Sequence, residues 1–106
     1  MTNESKIREA VTRLVNGFHP EKIVLFGSQA RGTADERSDA DFLVITRLTG
    51  KRRELAWQMD ASLWGLGLAR DIVILTPEEF ERDREIPGTI ARPAAQEGLV
   101  LYERPA

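Results

Sequence analysis

The sequence predicts an α/β (α+β) domain, three to four strands flanked by helices. Three observations carry that expectation. Short runs rich in β-branched and aromatic residues recur at Lys22–Phe26, Asp39–Thr46 and Asp71–Leu75, each the length of a buried strand. Stretches with apolar residues at helical spacing lie before, between and after them. No internal repeat, low-complexity tract or linker interrupts the 106 residues, so 1–106 reads as one domain with room for one core.

Taken in order, residues from about Asn3 to Asn16 carry Ile7, Val11, Leu14 and Val15 on one stripe, and Gly17 is expected to end that helix before a turn at Phe18-His19-Pro20. Lys22–Phe26 is the first strand and runs straight into Gly27-Ser28. Gln29 to Ser38 is small and polar around Gly32, hence mostly loop, with one helical turn at its start. Asp39–Thr46 is the second strand. Lys51 to Leu66 is a helix with Leu55, Met59, Leu63 and Leu66 on one side, closed by Gly65 and Gly67. Asp71–Leu75 is the third strand. Thr76-Pro77-Glu78-Glu79 has the form of a capping box with proline at the first helical position. A last helix falls within Thr89–Glu97, stopped by Gly98, and Leu99–Tyr102 forms a short edge strand.

Composition narrows the function classes. Fifteen basic residues stand against 17 acidic ones, a net charge of -2, which argues against bulk electrostatic binding of nucleic acid. The absence of cysteine excludes disulfides and thiolate metal sites. The N-terminal residues carry no apolar stretch of a secretory signal, and no apolar run reaches the roughly 18 residues of a membrane span. A soluble cytoplasmic location is the expectation. His19 is the only histidine, so neither a histidine metal site nor a serine triad is available. The glycine loop lacks a P-loop lysine.

The remaining chemistry gathers at strand ends. Asp39 and Asp41 are two apart on a strand, so their side chains leave one face with Cα atoms roughly 6.5 to 7 Å apart. If the third strand lies beside the second, Asp71 reaches the same point. Three carboxylates without histidine or cysteine suit Mg²⁺, or Mn²⁺, rather than zinc. Gly27 permits close backbone approach to a ligand, a helix starting at Ser28 would turn N–H groups toward an anion, and Arg31 follows one turn later with positive charge for a phosphate. Arg31 could instead pair with Asp35 or Asp39. Phosphate holder and metal holder on neighbouring strands suit phosphoryl or nucleotidyl transfer, whose catalysis is largely positioning and charge neutralisation.

Gly27-Ser28, ten intervening residues, then Asp39-Ala40-Asp41 resembles the Gly-Ser-x10-Asp-x-Asp signature of DNA polymerase β-like nucleotidyltransferases. Leu25-Phe26-Gly27-Ser28-Gln29-Ala30-Arg31-Gly32, with Asp71-Ile72-Val73 and the closing Glu97–Tyr102, is similar to the minimal nucleotidyltransferase (MNT) branch. The resemblance implies a nucleotidyltransferase fold with a small mixed β-sheet. It further implies Asp39, Asp41 and Asp71 as catalytic, metal-holding residues, with Asp71 activating the acceptor. Gly27 and Ser28 would hold the triphosphate of ATP. The implied partner is a HEPN-domain toxin, silenced by transfer of AMP to a tyrosine. Two alternatives stand beside it: a non-catalytic antitoxin that neutralises its HEPN partner by binding, and a small-molecule (antibiotic) nucleotidyltransferase, for whose drug 106 residues leave little room.

Three features stand outside that frame. Lys51-Arg52-Arg53 opens a helix, where positive charge is unfavourable to the dipole; it reads as a solvated edge or as a partner or nucleotide contact. Trp57 and Trp64 lie along one edge of that helix, as packing or as a subunit or partner surface in a homo- or hetero-oligomer. His19 is expected to be structural.

Overall fold

The computed structural model describes residues 2–32 and 39–105. Its elements are α1 (Asn3–Phe18), β1 (Lys22–Phe26), α2 (Ser28–Arg31), β2 (Ala40–Ile45), α3 (Arg52–Ser62), β3 (Arg70–Leu75), α4 (Pro77–Asp83), α5 (Ala91–Glu97) and β4 (Leu99–Glu103). The strands form one sheet in the order β3-β2-β1-β4. β1 runs antiparallel to both β2 and β4, while β2 and β3 are parallel, so the sheet is mixed. A parallel pair needs a long crossover, and α3 is that crossover.

Each face of the sheet is covered by helices. Ile23, Leu25, Phe42, Val44 and Ile74 point toward α1 and α3, where Leu14, Met59 and Leu63 complete the larger core. Val24, Leu43 and Ile45 point the other way, onto Phe80 of α4 and Ala91 and Ala94 of α5. This accounts for the strands reading as unbroken apolar runs rather than alternating ones: a sheet buried on both sides has no solvent face to mark with polar residues. Phe42 and Leu43, successive and on opposite faces, are both fully buried.

Local chemistry sets most boundaries. Thr2 caps α1 by accepting from Ser5 N–H, and Thr76 and Glu79 form the expected capping box at α4 with Pro77 in its first turn. Two helix ends differ from expectation. α1 continues through Gly17 to Phe18 and is closed by His19, whose φ of 50° and ψ of 53° put it in the left-handed region while its N–H donates to Val15 O. The glycine was the obvious stop by composition. The turn instead forms where Pro20 follows, because the residue before a proline is disfavoured in the helical region. Histidine tolerates the left-handed region better than most residues, and Arg104, the residue after β4, donates to His19 O. α3 ends at Ser62, earlier than expected, and Leu63 and Leu66 are buried from the turns that follow rather than from the helix. Among the described residues no helix is long and apolar enough to cross a membrane.

Candidate active site

β1 ends at Phe26, and the chain turns sharply at Gly27, with φ of 73° and ψ of -155°. That combination is essentially open to glycine alone. α2 then makes a single turn from Ser28, with Gly32 in the left-handed region closing it through its N–H to Ser28 O. Phe26 is the register partner of Asp41 on β2, so the turn lies against that aspartate. The approach is tight: a Cβ placed on Gly27 would stand 2.3 Å from Asp41 Oδ2. Gly27 is therefore fixed twice, by its backbone angles and by the carboxylate that occupies the space of a side chain.

On its other side Asp41 is in register with Asp71 of β3, the strand beside it. Residues in register on neighbouring strands project to the same face. β2 begins at Ala40, so Asp39, expected as its first residue, lies just outside the strand, near enough for its charge to act on Asp41. The sheet thus brings Gly27-Ser28, Asp39, Asp41 and Asp71 to one end of its α4/α5 side. Asp39 and Asp71 are exposed and Asp41 is half-buried. The Asp41 carboxyl is held above its ordinary range, first by burial, then by the negative charges of Asp71 and Asp39, with the Arg31 guanidinium opposing them. These four groups share one electrostatic field.

Among the described residues no three His, Cys, Asp or Glu side chains are drawn together closely enough to hold a metal as they stand. The donor set nonetheless fits a hard divalent cation: carboxylates only, one of them destabilised in its charged form by its surroundings. A cation among Asp39, Asp41 and Asp71 would offset that destabilisation.

Arg31 extends toward the site without pairing with Asp39. Its ion-pair partner is Glu97 at the end of α5, at 3.6 Å. Asp35, the other expected partner, lies outside the described residues. Sequence reasoning missed Glu97 because only the packing of α5 onto β1 brings it to α2. Gly98, read from the sequence only as a helix stop, also packs tightly: a Cβ there would stand 2.3 Å from Ala94 O and 2.4 Å from Val24 Cγ1. That glycine lets the chain leave α5 and enter β4 directly over β1.

The basic triplet is only partly a solvated edge. Arg52 reaches Glu79 of α4 at 2.8 Å and donates to Ile74 O of β3 at 3.3 Å, bracing α3 and α4 across the rim of the sheet. That pair, with the Thr76 N–H, holds the Glu79 carboxyl below its ordinary range. Trp57 and Trp64 do not pack into the core; they are 74% and 83% exposed. A cavity of about 360 Å³ between Lys22, Phe80 and Arg104 opens at the opposite end of the strands and includes none of the three aspartates.

The fold and this constellation define a nucleotidyltransferase-type domain, and comparison with known proteins agrees. A nucleotidyltransferase-domain family profile matches residues 4–96, and the chain belongs to that family. A protein of Methanocaldococcus jannaschii, provisionally named a protein adenylyltransferase, is 30% identical over 107 residues, covering 96% of this chain and all of that one. Among solved structures, a provisionally named nucleotidyltransferase from Sulfolobus solfataricus superposes with a TM-score of 0.65 at 20% identity, over 94% of this chain and 79% of its own. A chain from a toxin-antitoxin structure determined with AMP-PNP superposes with a TM-score of 0.61 at 24% identity, over 92% and 73% respectively. At these identities the two structures speak to the fold alone.

Proposed function

We propose that this protein transfers AMP from ATP to a hydroxyl of a partner protein, with Mg²⁺ as the metal, and that it serves as the antitoxin of a HEPN-domain toxin inside the cell. The observation that carries the reading is the position of Asp41, in register with Asp71 on one side and pressed against Gly27 on the other. Phosphate-holding and acidic ends of a transferase site meet at that residue. The similarity to a provisionally named protein adenylyltransferase over nearly the whole chain supports AMP as the group moved and protein as the acceptor. The likeness to a toxin-antitoxin chain crystallised with AMP-PNP is consistent with the partner.

In this reading Gly27 gives the triphosphate room at the backbone, Ser28 donates its hydroxyl to a phosphate oxygen, and Arg31 adds positive charge. Asp39, Asp41 and Asp71 would hold the metal, which supplies charge neutralisation for the triphosphate. Asp71, outermost and exposed, takes the proton of the acceptor hydroxyl as its oxygen bonds to the α-phosphorus and pyrophosphate leaves.

Asp39→Asn with Asp41→Asn should abolish labelling of the partner from α-phosphate-labelled ATP while leaving the fold intact, and mass spectrometry of the partner should show one or more added AMP groups in wild type only. Labelling by the double variant would refute the mechanism. The exposed tryptophans favour one second reading, neutralisation by contact alone. It makes the opposite prediction: the double Asn variant would protect cells as well as wild type.

A further inference from the structure

Two strands end the sheet, and they differ in what they carry. Two strands separate β4 from Asp71, whereas β3 contains it. The direction of β3's backbone groups follows from its pairing. Ala69 and Leu75 give their carbonyls to the amides of Ala40 and Thr46 on the β2 side. With a period of two, the backbone groups of 71, 73 and 75 face β2, and those of Arg70, Ile72 and Ile74 face outward. Arg52 donating to Ile74 O marks that outer rim.

Natural sheets blunt such edges with proline, lysine, bulges or covering elements, because an open apolar edge pairs with other chains. Arg70–Leu75 contains neither proline nor lysine and its pairing with β2 is unbroken; beyond Arg52 on Ile74 O, no hydrogen bond among the described residues engages its outward backbone groups. Along it runs a groove of about 420 Å³ lined by Arg52, Arg53, Ala56 and the edge residues Ile72 to Leu75. Arg53 is exposed and makes no ion pair among the described residues, while its neighbour Arg52 is committed to Glu79.

We propose that the open edge of β3 receives the partner's acceptor segment as an added strand, an extended peptide carrying a hydroxyl side chain and acidic flanks. The inference rests on the transferase reading above. Its grounds are continuity and charge. A strand added beside β3 lies about 4.8 Å away, and the residue in register with Asp71 projects to the same face as that carboxylate. Asp41, Asp71 and the acceptor then stand in one row across the sheet. Residues at odd offsets from the acceptor project toward α3, where Arg53 selects acidic side chains. Main-chain hydrogen bonds supply affinity and the alternate side chains supply specificity, as in other strand-addition complexes.

The test uses the full chain with the synthetic peptide Glu-Val-Ala-Tyr-Ala-Val-Glu and the same peptide N-methylated at alternate amides, which cannot pair with a strand edge. Amide exchange read by NMR without nucleotide should slow at least tenfold at Ile72 and Ile74 with the first peptide and not with the second. In the transfer assay, Ile72→Pro, which removes one outward N–H, and Arg53→Glu should each raise the peptide KM at least tenfold with ATP affinity unchanged. Protection without transfer upholds edge docking and overturns the transferase reading. Transfer without protection, with both variants at wild-type KM, overturns edge docking and leaves the transferase reading standing. Neither protection nor transfer overturns both. Should Ile72→Pro fail to fold, judged by circular dichroism, Arg53→Glu and the exchange experiment decide the matter.

Discussion

Replacing Gly27 by alanine tests the centre of the site with a single methyl group. Two costs act together. The backbone angles of 73° and -155° are nearly closed to a residue with a Cβ, a strain of about 1–3 kcal/mol. The new methyl would also lie 2.3 Å from Asp41 Oδ2, so the carboxylate must move, a further overpacking cost of about 1–3 kcal/mol. Asp41 sits at a strand end and can give way in part, which brings the expected loss to about 2–4 kcal/mol. Against a typical domain stability of about 5–15 kcal/mol this lowers the melting temperature by roughly 10–25 °C. Urea unfolding followed by far-UV circular dichroism measures it. Gly17→Ala is the control: nothing lies within 4 Å of its Cβ position in α1, and alanine there should stabilise by about 0.5–1 kcal/mol. The same substitution thus has opposite signs at two sites. Adding Asp41→Ala to Gly27→Ala should return the steric part and leave the backbone part. If Gly27→Ala lies within about 0.5 kcal/mol of wild type, the argument for a doubly constrained turn is wrong.

Three further outcomes follow from the same contacts. Gly98→Ala carries no backbone strain at φ of -71°, yet its methyl meets Ala94 O and Val24 Cγ1, so urea unfolding should show a loss of about 1–3 kcal/mol; a neutral result would mean α5 moves freely on β1. Thr76→Ala removes the α4 cap and should cost about 1 kcal/mol, seen as a lower urea midpoint at unchanged slope. Asp41→Asn should stabilise the metal-free protein at neutral pH. The folded state raises this carboxyl, chiefly by burial and then through Asp71 and Asp39, so the folded form binds the proton more tightly than the unfolded one. The Asp41 contribution to wild-type stability then falls as pH rises from the ordinary value of 3.8 through the raised one and is level above it. The Asn variant lacks that fall, and parallel stability-pH curves for the two proteins would contradict the assignment.

What could be read from the sequence divides along the range of the interactions. The strands and the α4 capping box depend on near neighbours, and periodicity or capping chemistry exposes them. Asp71 was legible only conditionally, since a pattern says that a strand exists but not which strand lies beside it; the parallel β2–β3 register met the condition. Glu97 facing Arg31, Arg52 reaching Glu79 and Gly98 over Val24 are products of packing between distant segments. No local pattern encodes them. Gly17 misled because glycine is a common helix terminator by conformation, whereas here Pro20 set the end and His19 took the unusual angles.

The pairing of β1 with β4 has a consequence for synthesis. β1 leads directly into Gly27, yet its second neighbour is Leu99–Glu103, the last strand. While a ribosome is still making residues 40 to 98, β1 has one partner at most and a bare edge, and Val24 lacks the strand and helix that cover it. Such non-local pairing is slow to form and leaves unfinished chains prone to aggregation. The Gly27 turn therefore has its full framework only once the final strand has docked, so a prematurely terminated copy has its aspartates in the chain and only part of the sheet that holds the turn against them.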